Sequence, residues 1–135
     1  LEPKDVDNIT FDFISCDVSF ISLTLVLPVI SKLLKPKGKS VCLIKPQFEA
    51  GRERVGKKGV VRDPKVHEDI LRDIISFTET FGWRVAAIDY SPITGPEGNI
   101  EFLAKIVKAD ELVMPVSPET AASVVESAHK NLARA

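Results

Sequence analysis

Residues 83–107 read WRVAAIDY-SPITGPEGN-IEFLAKIV. Two β-favouring runs, Trp83 to Tyr90 and Ile100 to Val107, flank nine residues, Ser91 to Asn99, that hold two prolines and two glycines. Such a loop is too short and too broken to carry a helix. Parallel neighbours need a crossover of about a dozen residues or more, so these two runs are read as an antiparallel pair.

Upstream the periodicity changes. Phe11 to Cys16 is a short apolar run ending at Asp17, read as a buried strand. Leu23, Val26, Leu27, Ile30, Leu33 and Leu34 recur at helical spacing, with Pro28 as a kink or a true start and Lys35-Pro36-Lys37-Gly38 as the stop. Ser40 to Ile44 reads as a second strand ending at Lys45-Pro46, followed by a polar loop from Gln47 to Arg62. Asp63-Pro64 supplies an N-cap and first-position proline to a helix with Val66, Ile70, Ile74, Phe77 and Phe81 on one stripe, closed by Gly82. Ser117-Pro118-Glu119 opens a final helix carrying Val124, Val125, Ala128 and Leu132. The sum is an α/β domain: parallel strands, a last antiparallel strand, and helices expected on both faces. Rossmann-like methyltransferases share that layout, an analogy of fold that alone assigns no reaction.

Composition narrows the class. The 135 residues are 44% hydrophobic and carry a net charge of −1, which excludes a disordered chain and any global pull towards nucleic acid or membrane. Cys16 and Cys42 have no second Cys or His nearby in sequence, so free buried thiols are expected rather than a disulfide framework or a zinc site. The longest apolar run, Phe20 to Ile30, is too short to span a bilayer and lacks the flank of a signal peptide. A cytoplasmic protein is expected. The start at Leu1, without methionine, hints at missing upstream sequence.

Three polar residues fall at predicted strand ends. Asp17 and Lys45 close parallel strands, where open α/β sheets place their ligand crevice. Glu101 opens the antiparallel strand, so its end points to the same edge, and the topology gathers residues 28 and 56 positions apart onto one rim. Solvated strand-end charges are the bland alternative. The segment from Gly51 to Arg62 leaves that rim and carries Arg52, Arg54, Lys57, Lys58 and Arg62 against one acid, Glu53. A basic loop with three glycines suits a polyanion through phosphate contacts, or is simply solvated. Its glycines do not fit a P-loop. His67 and His129 have no partner in sequence and are expected at the surface.

Three stretches then carry a resemblance. Asp17-Val18-Ser19-Phe20-Ile21-Ser22-Leu23, Lys45-Pro46-Gln47-Phe48-Glu49 and Ser91 to Leu103 resemble the hemolysin A (TlyA) family over about Leu1 to Val107. That family is similar to RNA 2′-O-ribose methyltransferases of the FtsJ/RrmJ type, with S-adenosylmethionine as cofactor, ribosomal RNA or a ribosomal subunit as partner, and an N-terminal S4 RNA-binding domain. The resemblance implies that Asp17, Lys45 and Glu101 are the last three members of a Lys-Asp-Lys-Glu tetrad. The first Lys and the glycine-rich cofactor turn would lie upstream of Leu1. It also implies that Lys45 acts as general base, Asp17 orients Lys45 and lines the donor pocket, and Glu101 positions Lys45 or the ribose. Residues 1–110 would be the C-terminal part of the catalytic domain and residues 111–135 a helical extension. Such a piece would leave the strand from Phe11 to Cys16 with an open apolar edge, inviting a homo-oligomer. Two other classes compete: a non-catalytic RNA-binding module, and a cytolytic hemolysin, for which no membrane segment is seen.

Overall fold

The computed structural model describes residues 2–19, 21–56, 59–80, 82–108 and 116–132. Four strands, β1 (Phe11–Cys16), β2 (Leu34–Ile44), β3 (Trp83–Tyr90) and β4 (Phe102–Lys108), form one sheet in the order β1-β2-β4-β3. β1 and β2 are parallel, and β4 runs antiparallel to both its neighbours. The 91–99 loop therefore joins an antiparallel pair, as its length requires.

Helix α1 (Leu23–Leu33) begins at Ser22, whose hydroxyl accepts the Thr24 N–H at 3.1 Å. It runs through Pro28, whose missing N–H falls in the second turn. The expected stop at Lys35-Pro36-Lys37-Gly38 instead lies within β2. Leu34 already pairs with Phe11, the next pair being Phe13 with Lys39, so the intervening residues bulge out of register. Gly38 fits there because a Cβ would press on the Leu34 side chain and the Lys35 carbonyl. The loop expected after Lys45 opens with a helical turn, α2 (Pro46–Glu49), and a 3-10 turn over Arg52–Arg54.

Helix α3 (Pro64–Thr80) starts where Asp63 accepts the Lys65 N–H at 2.9 Å and buries Val66, Ile70, Leu71, Ile74 and Ile75. Phe77 packs half-buried at the core margin, Phe81 lies outside the described residues, and Gly82 (φ +77) turns the chain into β3. Helix α4 (Pro118–Leu132) adds Ala121, Val125 and Ala128 to the same core, with Val124 and Leu132 at its margin.

The helices do not cover both faces as expected. α1, α3 and α4 touch in series and share one core with Cys42, Ile44, Phe102, Ala104 and Ile106. The reason is handedness. Right-handed crossovers that step across a sheet in one direction put their helices on one side, and β1→β2→β3 is such a series. Val41, Leu43, Leu103 and Lys105 face the other way and remain partly or fully exposed. β1 is an edge strand with Phe11 37% and Phe13 56% exposed.

Candidate active site

The strand ends converge as their topology demands. Ile44 pairs with Phe102 in the β2–β4 register, so Lys45 and Glu101 are the next residues outward on adjacent strands. Cys16 pairs with Cys42, which sets Asp17 on the same rim from the other side. Lys45 Nζ lies 2.6 Å from Asp17 Oδ1 and donates to Ser19 Oγ at 3.2 Å. Lys45 is 15% exposed and Asp17 66%, so the carboxylate stands in solvent while the lysine is held below it. Two of the three Lys45 hydrogen-bonding directions are taken, which leaves one for a ligand.

Glu101 is 7% exposed. Gln47 donates to its Oε2 at 3.0 Å, and a Cβ on Gly95 would overlap the carboxylate, so glycine there is what lets the loop close over it. The Ser91 N–H to Glu101 carbonyl bond (2.8 Å) and the Gly95 N–H to Asn99 carbonyl bond (2.7 Å) fasten that loop.

Several residues that shape the rim were not singled out by the sequence reading. Glu49 accepts from the Ser22 hydroxyl and the Leu23 N–H, both at 2.7 Å, tying the KPQFE segment to the start of α1; burial pushes its carboxyl up. Asn99 accepts the Val61 N–H and donates to the Gly59 carbonyl, each at 3.0 Å, pinning the far end of the basic segment to the 91–101 loop. Neither role is announced in the sequence, because each rests on a contact between segments that only the fold brings together.

The basic segment is partly committed. Arg54 donates to the Ala50 carbonyl at 3.0 Å and lies 3.6 Å from Asp69. Arg62 is exposed. Lys57, Lys58 and the side chain of Arg52 lie outside what the structure describes.

The expectation of surface histidines needs correction. His67 is fully buried, not at the surface: its Nδ1 lies 2.8 Å from His129 Nε2 and its Nε2 2.9 Å from the Val61 carbonyl. Burial and the second imidazole lower its pKa to about 4, and burial lowers that of His129. Nothing in a helical sequence announces a partner 62 residues away. Cys16 and Cys42 are free and buried as expected, yet they are register neighbours, and their thiols share a hydrogen bond that pulls Cys16 down and, with burial, pushes Cys42 up.

Among the described residues no helix is long and apolar enough to cross a membrane. The family described as FtsJ-like methyltransferase matches residues 1–108. The chain is 49% identical over 132 residues to YqxC of Bacillus subtilis, named as a candidate rRNA methyltransferase, covering 96% of this chain and 47% of that one. It is 37% identical over 91 residues to the 16S/23S rRNA (cytidine-2′-O)-methyltransferase TlyA of Mycobacterium tuberculosis, covering 67% and 34%. A solved structure of a candidate hemolysin from Streptococcus thermophilus superposes with a TM-score of 0.90 at 44% identity, over 99% of this chain and 48% of that one. The chain thus spans half or less of the length of these relatives.

Proposed function

The chain belongs to the FtsJ-like methyltransferase family, and from that membership and its Asp17–Lys45–Glu101 rim we propose that the protein methylates a ribose 2′-hydroxyl of ribosomal RNA. The observation that carries this reading is the juxtaposition of Lys45, ion-paired to Asp17, with Glu101 on the adjoining strand.

The 2′-oxygen must shed its proton as it attacks a methyl carbon. Lys45 is the group placed to take that proton once it has given up one of its own three: as an amine it keeps two N–H bonds, directed to Asp17 and Ser19, and its lone pair takes the third direction, towards the ribose. Glu101, fixed by Gln47 and packed on Gly95, aligns the ribose or the lysine. S-adenosylmethionine, when bound, supplies the electrophilic methyl group. Of this chain's residues Asp17 fits it: an exposed acceptor at the carboxyl end of a strand, able to take hydrogens from hydroxyl or ammonium groups.

Arg52, Lys57 and Lys58 would hold RNA phosphates beside the rim, with Arg54 contributing less because Asp69 already engages it and Arg62 lining a separate cavity instead. The named activity of the mycobacterial relative supports cytidine as the target. Residues 1–110 are read as the C-terminal part of the catalytic domain and 111–135 as its helical extension. An upstream S4 domain would extend the grip on RNA, and an rRNA substrate would place the protein in the cytoplasm. The test is Glu101→Gln in the complete gene product. Transfer of labelled methyl to rRNA should fall about 100-fold or more with S-adenosylmethionine binding intact, and undiminished transfer would remove Glu101 from the mechanism.

A further inference from the structure

A cavity of about 330 Å³ lies outside the catalytic rim, lined by Arg62, Thr94, Glu97, Gly98, Ile100 and His129 among others. Its volume is at the lower end of small-ligand sites, enough for one planar heterocycle. Arg62 and Glu97 are exposed and line the same space, and neither is ion-paired to the other or to any other described residue, so two opposite charges stand open to a ligand.

Glu97 is held there at a cost. It adopts φ +58 and ψ +21, a left-handed conformation uncommon for a side-chain-bearing residue, between Pro96 and Gly98. A plain turn could have placed glycine at that position.

The third group is set by a relay. The Val61 carbonyl can only accept, so His67 Nε2 carries the hydrogen and His67 Nδ1 is the acceptor. His129 Nε2 must then be the donor, which leaves Nδ1 of a neutral His129 as a bare acceptor without a partner among the described residues. The cavity is thus lined by the donor fork of Arg62, the acceptor carboxylate of Glu97 and the ring of His129. Guanine has the matching edges: O6 and N7 accept from arginine, while N1–H and the 2-amino group donate side by side to a carboxylate. The remaining bases lack that pairing of an acceptor edge with two adjacent donors.

We propose that this cavity is a guanine-binding subsite, with Arg62 taking O6/N7, Glu97 taking the N1–H and 2-amino hydrogens, and His129 of α4 closing the wall. The 91–101 loop builds both this cavity and the Glu101 corner, so a guanine borne on RNA would seat one loop away from the rim. A free guanine nucleotide has the same chemistry. Binding is measured without a methyl donor, so the subsite stands or falls apart from the methylation reading.

The test titrates the complete gene product with GMP, AMP and CMP, and with two single-stranded RNA oligomers differing by one G→A change. Glu97→Gln and Arg62→Met, both at exposed positions, serve as variants. GMP or the G-bearing RNA should bind about tenfold more tightly than its counterparts, and either variant should erase that preference. Preference on RNA assigns the base to the substrate strand, and preference for GMP alone assigns a free nucleotide. Equal binding of all probes, or a guanine preference that survives Glu97→Gln, would overturn the proposal.

Discussion

Acidification should unfasten α4 through His67. The ring is fully buried, donates to Val61 and accepts from His129, so the fold holds it neutral, with a pKa near 4 against about 6.5 in an unfolded chain. Above pH 6.5 neither state binds the proton and the contribution is complete. As pH falls from 6.5 towards 4 the unfolded chain takes up a proton that the folded one refuses, and stability drains away. A gap of about 2.5 pH units at 1.36 kcal/mol each gives about 3 kcal/mol. His129, also lowered, acts in the same direction. The assay is urea unfolding at pH 7.5, 6, 5 and 4.5 for wild type and His67→Gln, with the His67 ring followed by NMR. Wild type should lose up to about 1.4 kcal/mol per pH unit more than the variant between pH 6 and 4.5. Equal slopes, or a ring midpoint near 6.5, would mean that the fold does not hold His67 neutral.

Three further outcomes follow from the geometry. Asn99→Ala should cost about 1–3 kcal/mol in thermal unfolding, because it strips partners from the Val61 N–H and the Gly59 carbonyl; a wild-type melting temperature would contradict the pinning role. Glu49→Ala should lower stability by about 1–2 kcal/mol and loosen the start of α1, seen as faster amide exchange at Leu23; unchanged exchange would argue otherwise. The 135-residue chain should self-associate through β1, where Phe11 and Phe13 are exposed on an edge strand, and Phe13→Lys should disperse it; light scattering showing a clean wild-type monomer would remove the idea.

The rim of Asp17, Lys45 and Glu101 was legible because it depends on period and direction alone. Once Ser91–Asn99 is too short for a crossover, β4 must reverse, and Glu101 has to meet Asp17 and Lys45 at one edge. The placement of helices was misjudged because the number of crossovers was read without their direction of travel. The entry to β2 was missed because proline and glycine in 35–38 signal a stop equally well when they form a bulge. His67 and Asn99 lie in polar stretches, and only tertiary contact reveals that each satisfies backbone groups across the fold. The family resemblance, resting on three motifs that carry the rim itself, is borne out.

Methyl transfer through Lys45 can be measured directly. The complete gene product and its Lys45→Ala variant would be incubated with labelled S-adenosylmethionine and undermodified ribosomal RNA, and alkali-resistant 2′-O-methyl dinucleotides counted. Label is expected from the wild type, and at least about a hundredfold less from the variant. Label from neither would contradict the methyltransferase reading, and equal label from both would leave the reaction but strip Lys45 of its role.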